Sequence, residues 1–365
     1  MIAFSMSVPK LSARSSRRRK RHVKQDSEIV LICNPRAGGR WKELAGILDS
    51  EEAGHVRRIV TDSVDDIALA LSNLGREAKL LCIYGGDGTI QRVLDRLSHE
   101  HGDVQLALLG GGTMNVTSRW CGFSTNPGRN FRYVVRAFVS GELLSRELPV
   151  MKVQTGDVAH HGFTFGMGPI VRLLDAYERG RKGKLAAVGM AVQAVAAAWT
   201  RWPQSFQSLL AEMEADVELD GERLAYHEFS AVFANVTGQI NPGIEPFVGQ
   251  RARESFHCVA YAVGAREMTL LLPMLARGRL PLDVDLSGLL SRSSRMPKLQ
   301  SDARYVNRTA KTLKVTTAED LYTVDGELLP VEGQEISVEL GPMLRLATGP
   351  LVGWKMAAEA VKPGG

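Results

Sequence analysis

Tyr84-Gly85-Gly86-Asp87-Gly88-Thr89 constrains this chain more than any other stretch, because of what flanks it. Before it, Lys79 to Tyr84 reads KLLCIY, an apolar run of strand length. After it, Ile90, Val93, Leu94 and Leu97 recur at i, i+3, i+4 and i+7, the spacing of a helix with one buried face. A strand, a glycine-rich turn and a helix start together predict a phosphate cradle. Glycines let backbone N–H groups approach an anion, and a helix N-terminus favours negative charge. Asp87 adds a carboxylate suited to Mg²⁺ or a metal-bound water, and Thr89 can cap the helix or reach a phosphate oxygen. A bare glycine-rich turn is also an ordinary strand-to-helix connection. The flanking elements favour the phosphate reading.

Two further stretches share this grammar. Glu28 to Cys33 (EIVLIC) reads as a strand and ends in Asn34-Pro35-Arg36-Ala37-Gly38-Gly39. Leu106 to Leu109 leads into Gly110-Gly111-Gly112-Thr113-Met114-Asn115. In an open parallel sheet, ligands sit at the carboxyl ends of strands, where three such turns would gather into a nucleotide pocket. Phosphoryl transfer then needs carboxylates to position an acceptor and neutralise charge. Asp325 and Glu327 supply two, and residues i and i+2 of an extended segment share a face. The same tripeptide occurs at Asp220-Gly221-Glu222 between strand-like runs, where it reads as a tight hairpin.

Composition bounds the rest. The chain has 365 residues, 44% hydrophobic and 23% charged, enough for two domains with real cores. Cys33, Cys82, Cys121 and Cys258 are scattered without a CxxC pair and read as buried thiols in a reducing compartment, with no zinc site. The net charge of +5 comes from an arm: residues 1–25 carry eight Lys or Arg and no acidic residue, and the remainder is near −3. Such an arm reads as a disordered tail, a membrane-attracted segment or a transit peptide. No basic stripe continues into the body, so nucleic acid is not expected as a partner. Ile2 to Val8 is too short for a secretory signal, and Leu185 to Trp199 is shorter than the roughly 20 residues a membrane span needs.

Strands alternate with helical patterns from Glu28 to about Arg146, at Trp41–Leu48, Asp65–Leu74, Ile90–Leu97 and Phe131–Ser140, implying βαβ units and a mostly parallel sheet. Beyond Leu148, short β-rich runs punctuated by Gly and Pro suggest a mainly antiparallel domain. They lie at Met151–Val153, Gly162–Phe165, Asp216–Leu219, Glu228–Phe233, Phe256–Ala262, Thr312–Thr316 and Ile336–Leu340. One long helix, near Gly183–Ala198, interrupts them. The expected division is a basic arm at 1–27, a nucleotide-binding α/β domain at 28–147 and a β-rich domain at 148–340 carrying Asp325-Gly326-Glu327.

NPRAGG, GGDGT and GGGTMN in this order, with a late DGE at Asp325-Gly326-Glu327, resemble the diacylglycerol-kinase catalytic-domain superfamily, which includes sphingosine and ceramide kinases. The likeness spans roughly Glu28 to Leu346. It implies an α/β domain and a β-sandwich-like domain with the active site in the cleft between them, and a C-terminal segment 341–365 that returns to the first domain. It implies ATP and Mg²⁺ as cofactors. Asn34, Thr61, Gly85, Gly86, Asp87, Gly88, Thr89, Gly112, Thr113 and Asn115 would contact the nucleotide, and Asp87 and Glu327 the metal. Asp325 would be the general base with Glu327 beside it, although sphingosine kinases give that role to the aspartate matching Asp87. The acceptor would be a membrane lipid alcohol: diacylglycerol, ceramide or a sphingoid base.

Departures from the family pattern bear on the substrate. Gln91-Arg92 replaces an Asn-Glu pair, and Val116 follows Asn115 where relatives have Asp. Bacterial relatives carry a structural Mg²⁺ at an Asp-Gly turn; the matching stretch, Arg253-Glu254-Ser255-Phe256, keeps a carboxylate and loses the glycine. ELPV before Met151 lacks an aspartate that some relatives place near the lipid headgroup. Other readings remain: an NAD kinase shares GGDGT, and an inactive nucleotide-binding regulator would fit the missing carboxylates. A dehydrogenase is excluded because Asn115 stands where GxGxxG requires glycine. The expected setting is cytoplasmic, peripherally associated with an anionic membrane surface, with a homodimer left open. Met268 to Leu275 beside Arg277 and Arg279, and Trp199, Arg201 and Trp202, are the segments suited to a membrane interface, though core packing explains them as well.

Overall fold

The structure, a computed structural model, describes residues 28–36, 40–50, 54–75, 77–97, 104–111, 116–180, 184–200, 204–240, 244–249, 251–285 and 298–350. The basic arm, Ala37–Gly39, Gly112, Thr113, Asn115, the Arg201–Trp202 pair and residues 351–365 therefore lie outside the described residues.

Four parallel strands form the first domain: β1 (Ile29–Cys33), β2 (Val56–Val60), β3 (Leu80–Tyr84) and β4 (Gln105–Leu108), in the order β4-β3-β1-β2. Every residue of β1, β3 and β4 is buried. Their unbroken apolar runs suit a sheet covered on both faces. Helices α1 (Trp41–Leu48) and α5 (Pro127–Val139) pack on each other, as do α2 (Val64–Ser72) and α3 (Asp87–Arg96). A capping box closes the start of α2: Ser63 accepts from the Asp66 amide, and Asp66 accepts from the Ser63 amide. A short helix, α4 (Val116–Trp120), follows the turn after β4.

The second domain is antiparallel. Its strands begin with β5 (Ser145–Thr155), β6 (Val158–Gly162), β7 (Thr164–Met167), β8 (Met213–Leu219), β9 (Glu222–Arg223), β10 (Glu228–Phe229), β11 (Ala231–Asn235) and β12 (Phe256–Tyr261). After a small β13 (Leu282–Asp285) and β14 (Lys298–Ser301) hairpin come β15 (Tyr305–Ala310), β16 (Thr312–Thr317), β17 (Leu321–Val324), β18 (Glu327–Pro330) and β19 (Glu335–Ala347). One six-stranded sheet runs β15-β12-β11-β7-β17-β18. The other strands, with the β13–β14 hairpin excepted, continue the first domain's sheet. The first half of β19 pairs with β16 and β5, its register shifts between Leu340 and Met343, and its end pairs parallel with β4 at Arg345 and Leu346. Gly341-Pro342 sits at that shift, where a missing amide donor and a flexible residue let a strand bend. A single core joins Leu31 and Ile83 of the first domain to Phe165, Val217 and Val338 of the second.

Helices α6 (Pro169–Arg179), α7 (Lys184–Thr200), α8 (Gln207–Leu210) and α9 (Ala265–Leu275) pack on this domain. The apolar run Met268–Leu275 is therefore helical: Met268, Leu271 and Leu275 face the core, while Leu270 and Leu272 are exposed. Gly162–Phe165, expected as one strand, straddles the corner between β6 and β7, and Glu228–Phe233 is divided between β10 and β11. No helix among the described residues is long and apolar enough to cross a membrane.

Candidate active site

The carboxyl ends of β1, β2, β3 and β4 lie side by side, and backbone bonds tie their turns together. Asn34 donates its amide to Tyr84 O at 2.9 Å, Thr61 to Cys33 O at 2.9 Å and Gly111 to Gly85 O at 2.7 Å. Asn34 Nδ2 reaches Thr89 Oγ1 at 3.5 Å, and Asn34 Oδ1 accepts from the Arg36 amide at 3.0 Å. Thr61 and Thr89 are buried. The expected nucleotide residues Asn34, Thr61, Gly85, Gly86, Gly88 and Thr89 are thus one constellation in space.

Gly86 is the N-cap of α3, with no side-chain cap bond, and a Cβ built on it would meet nothing within 4 Å. Helix starts leave amide donors without intrahelical partners. The amides of Thr89 and Ile90 turn back to Gly86 O at 3.0 and 3.1 Å, and open space lies beside Gly86 itself. Thr89 does not cap α3; it packs onto Gly85, where a Cβ would lie 2.4 Å from its own. Asp87 occupies the first position of α3, and its side chain lies outside what is described. Gln91, in place of the family's Asn, is buried, and its Nε2 has no partner among the described residues.

From the second domain, the β17–β18 hairpin delivers the late motif. Asp325 and Gly326 both have positive φ, 51° and 90°. They form a two-residue turn between paired Val324 and Glu327, the geometry that favours Asp-Gly. Asp325 Oδ1 accepts from the amides of Phe163 at 3.0 Å and Thr164 at 2.8 Å. Glu327 reaches the cradle: a Cβ on Gly88 would lie 2.9 Å from its Oε1. Two motifs about 240 residues apart in sequence therefore touch across the interdomain cleft.

The earlier copy has the same local structure. Asp220 and Gly221 have φ of 53° and 83°, and Asp220 Oδ1 accepts from the amides of Lys311 at 2.7 Å and Thr312 at 2.9 Å. In both copies the aspartate clamps the turn to two consecutive amides of a neighbouring segment. Their surroundings differ. Glu222 forms an exposed ion pair with Arg308 at 2.9 Å, whereas Glu327 meets Gly88.

Below the hairpin, Asp95 of α3 receives His160 Nδ1 at 3.0 Å and the backbone amide of His161, both on β6. Burial pushes its carboxyl up, but the hydrogen bonds from His160 and His161 outweigh this and hold it below the usual range. Nothing in the sequence flagged this cluster. Its residues are some 65 positions apart, and no motif spacing connects them. Among the described residues, no group of three or more His, Cys, Asp or Glu could by itself hold a metal ion. At the Arg253–Phe256 turn, Arg251 Nη1 approaches the carbonyls of Ala252, Arg253 and Ser255 at 3.1, 3.3 and 2.9 Å. A guanidinium thus occupies carbonyls that a cation would use, and Glu254 is exposed, 3.9 Å from Lys311.

A glycine-rich turn at the start of α3 on the α/β domain is thus met by a carboxylate-bearing hairpin from the antiparallel domain. The model of the diacylglycerol kinase catalytic domain matches residues 28–143. Among solved structures, a candidate diacylglycerol kinase from Bacillus anthracis str. Sterne aligns with a TM-score of 0.58 at 17% identity, covering 89% of this chain and 98% of its own. A second diacylglycerol kinase from that organism aligns with a TM-score of 0.55 at 15% identity, covering 89% and 97%. At these identities the structural likeness shows the fold. No curated protein matches the chain significantly. Over residues 28–143 the chain matches the diacylglycerol kinase catalytic domain, and over most of its length it shares the fold of these two structures.

Proposed function

We propose that this protein transfers the γ-phosphate of ATP to the hydroxyl of a membrane lipid alcohol. The observation that carries the reading is the meeting of Glu327 with Gly88, which brings the Asp325-Gly326-Glu327 hairpin up to the glycine-rich start of α3. In this reading the amides at the start of α3 bind the nucleotide phosphates, with Asn34 and Thr89 bracing the turn. The acceptor oxygen forms a bond to the γ-phosphorus as the bond to the β–γ bridging oxygen breaks, and ADP leaves. Asp325 takes the acceptor's proton. The amides of Phe163 and Thr164 fix the orientation of that carboxylate. The hard oxygens of Glu327 beside an open phosphate site fit Mg²⁺, which binds through one or two carboxylates plus substrate phosphates. Glu327 and Asp87 would hold it, and it would supply charge neutralisation.

Support for a lipid acceptor comes from the second domain's surface. Val192, Val195 and Trp199 of α7 and Leu270 and Leu272 of α9 are exposed, and α7 packs on α9. Apolar side chains grouped at a surface suit a membrane interface.

The test is transfer of labelled phosphate from Mg-ATP to diacylglycerol, ceramide, sphingosine and monoacylglycerol in mixed micelles, with NAD in a parallel tube. Labelled lipid that vanishes with Asp325→Asn establishes the activity and names the acceptor. Label on NAD alone, or none despite bound ATP, refutes it.

A further inference from the structure

A second cleft, of about 430 Å³, lies at the seam of the domains, lined by Trp120 at the end of α4, Arg146 and Leu148 of β5, Thr237, Arg251 and His257 of β12. It is joined to the candidate active site through one residue. Trp120 Nε1 donates to Thr237 O at 3.0 Å, the neighbouring Val236 amide donates to Phe163 O at 3.1 Å, and the Phe163 amide holds Asp325.

The charges in this cleft are uneven. Arg146 lies over the Trp120 ring, 5.8 Å from its centroid, with no hydrogen-bond or ion-pair partner among the described residues. Arg251 is half-buried, with Nη1 turned to the neighbouring carbonyls. The one carboxylate on the wall, Glu147, is neutralised by Arg253 at 2.5 Å. His257 is only 6% exposed, stacks on Phe247 at 5.1 Å between centroids, and its buried Nδ1 has no partner among the described residues. A buried polar atom without a partner costs about 1–3 kcal/mol, a cost the fold carries at the wall of this cleft. Two guanidiniums and an imidazole around a space of this size, with Leu148 and Val236 as its apolar part, match the chemistry of an oxyanion carried on a small organic body.

We infer that this seam cleft is a binding site for a phosphate-bearing ligand, separate from the nucleotide cradle. Arg146 supplies the planar fork that phosphate recognition favours. The phosphate could belong to a lipid headgroup at the membrane or to a free phosphorylated metabolite, and the experiment separates the two.

Binding is measured by calorimetry with inorganic phosphate and glycerol 3-phosphate, and by sedimentation with phosphatidylcholine vesicles doped with phosphatidic acid. A non-hydrolysable ATP analogue is present throughout, so that phosphate entering the cradle is not counted. The analogue's own affinity is recorded separately, which keeps a failure of the kinase reading distinct from a failure of this one. Arg146→Gln and His257→Gln are the variants, each used only with an unchanged thermal midpoint. Arg146→Lys, which keeps the charge but loses the fork, replaces the first if needed. Saturable binding that falls by about tenfold or more in these variants, with analogue affinity unchanged, is the expected result. Loss in the calorimetric arm assigns a free metabolite, and loss in the vesicle arm alone assigns a headgroup. No saturable binding in either arm, or equal binding by wild type and variants, overturns the inference.

Discussion

Gly85, Gly86 and Gly88 meet different surroundings, and alanine at each should therefore fail in a different way. At Gly88 the added Cβ would lie 2.9 Å from Glu327 Oε1. Comfortable contact is about 3.5 Å, so the carboxylate must retreat by about 0.6 Å. Because the obstacle is the end of a flexible side chain, stability should hold, helped by alanine's better helix propensity of roughly 1 kcal/mol. Function should not hold. Misplacing a catalytic group by about 1 Å can cost about a hundredfold, so a retreat of this size should cost roughly tenfold in kcat, or about 1.4 kcal/mol of barrier. At Gly85 the Cβ would lie 2.4 Å from Thr89 Cβ, a buried β-branched residue on a helix that cannot swing aside. That variant should lose about 1–3 kcal/mol of stability. At Gly86 nothing lies within 4 Å, so the fold is kept and the methyl enters the space assigned to phosphate. It should raise the KM for ATP more than it lowers kcat. Urea titrations and phosphate-transfer kinetics on the three proteins separate these patterns. Unchanged transfer by Gly88→Ala, in an enzyme that Glu327→Gln disables, would refute the claim that Glu327 works where it stands against α3.

The twin hairpins provide a second test: Asp220→Asn and Asp325→Asn each weaken the same pair of amide bonds, and each should cost about 1–2 kcal/mol in denaturant melts. Transfer should fall only for Asp325→Asn; an equal fall for both would reduce Asp325 to a turn clamp. Asp95→Asn should destabilise by about 1–3 kcal/mol near neutrality. The folded carboxyl titrates below the ordinary value of about 3.9, so its contribution is complete above that pH and lost as pH falls through the folded value. Melts of wild type and variant should accordingly converge in acid, and a gap that persists there argues against an ionised Asp95. Burial raises the thiols of Cys33, Cys121 and Cys258 to about 12, so the native protein should resist thiol reagents until unfolded. Replacing Trp199 and Leu270 by Ser should weaken sedimentation with anionic vesicles without changing the melt, and undiminished sedimentation would remove α7 and α9 from membrane contact.

Local pattern was enough wherever a residue's partners are its neighbours in sequence. Trp41–Leu48 is a helix with the expected limits, and the runs EIVLIC and KLLCIY are strands because unbroken apolar residues of that length must be buried on both faces. The helix after GGDGT starts three residues before Ile90, since a glycine N-cap carries no periodic signal. Helix α9 hid in Met268–Leu275, where uninterrupted apolar residues mask the helical period.

The glycine-rich turns after β1, β3 and β4 were legible in the sequence, because their conformation is backbone chemistry that glycine, asparagine and threonine write locally. It favoured Asp325-Gly326-Glu327 over Asp220-Gly221-Glu222 by flanking runs and resemblance alone, although the two are one hairpin repeated down to the clamping amides. Folding is what gives them different surroundings, with Glu327 against Gly88 and Glu222 paired with Arg308 at the surface. The same holds for Asp95 with His160 and for Arg146 with His257. Charge, hydrogen bonding and burial act over a few ångströms of space, and chain folding, not sequence spacing, sets those distances.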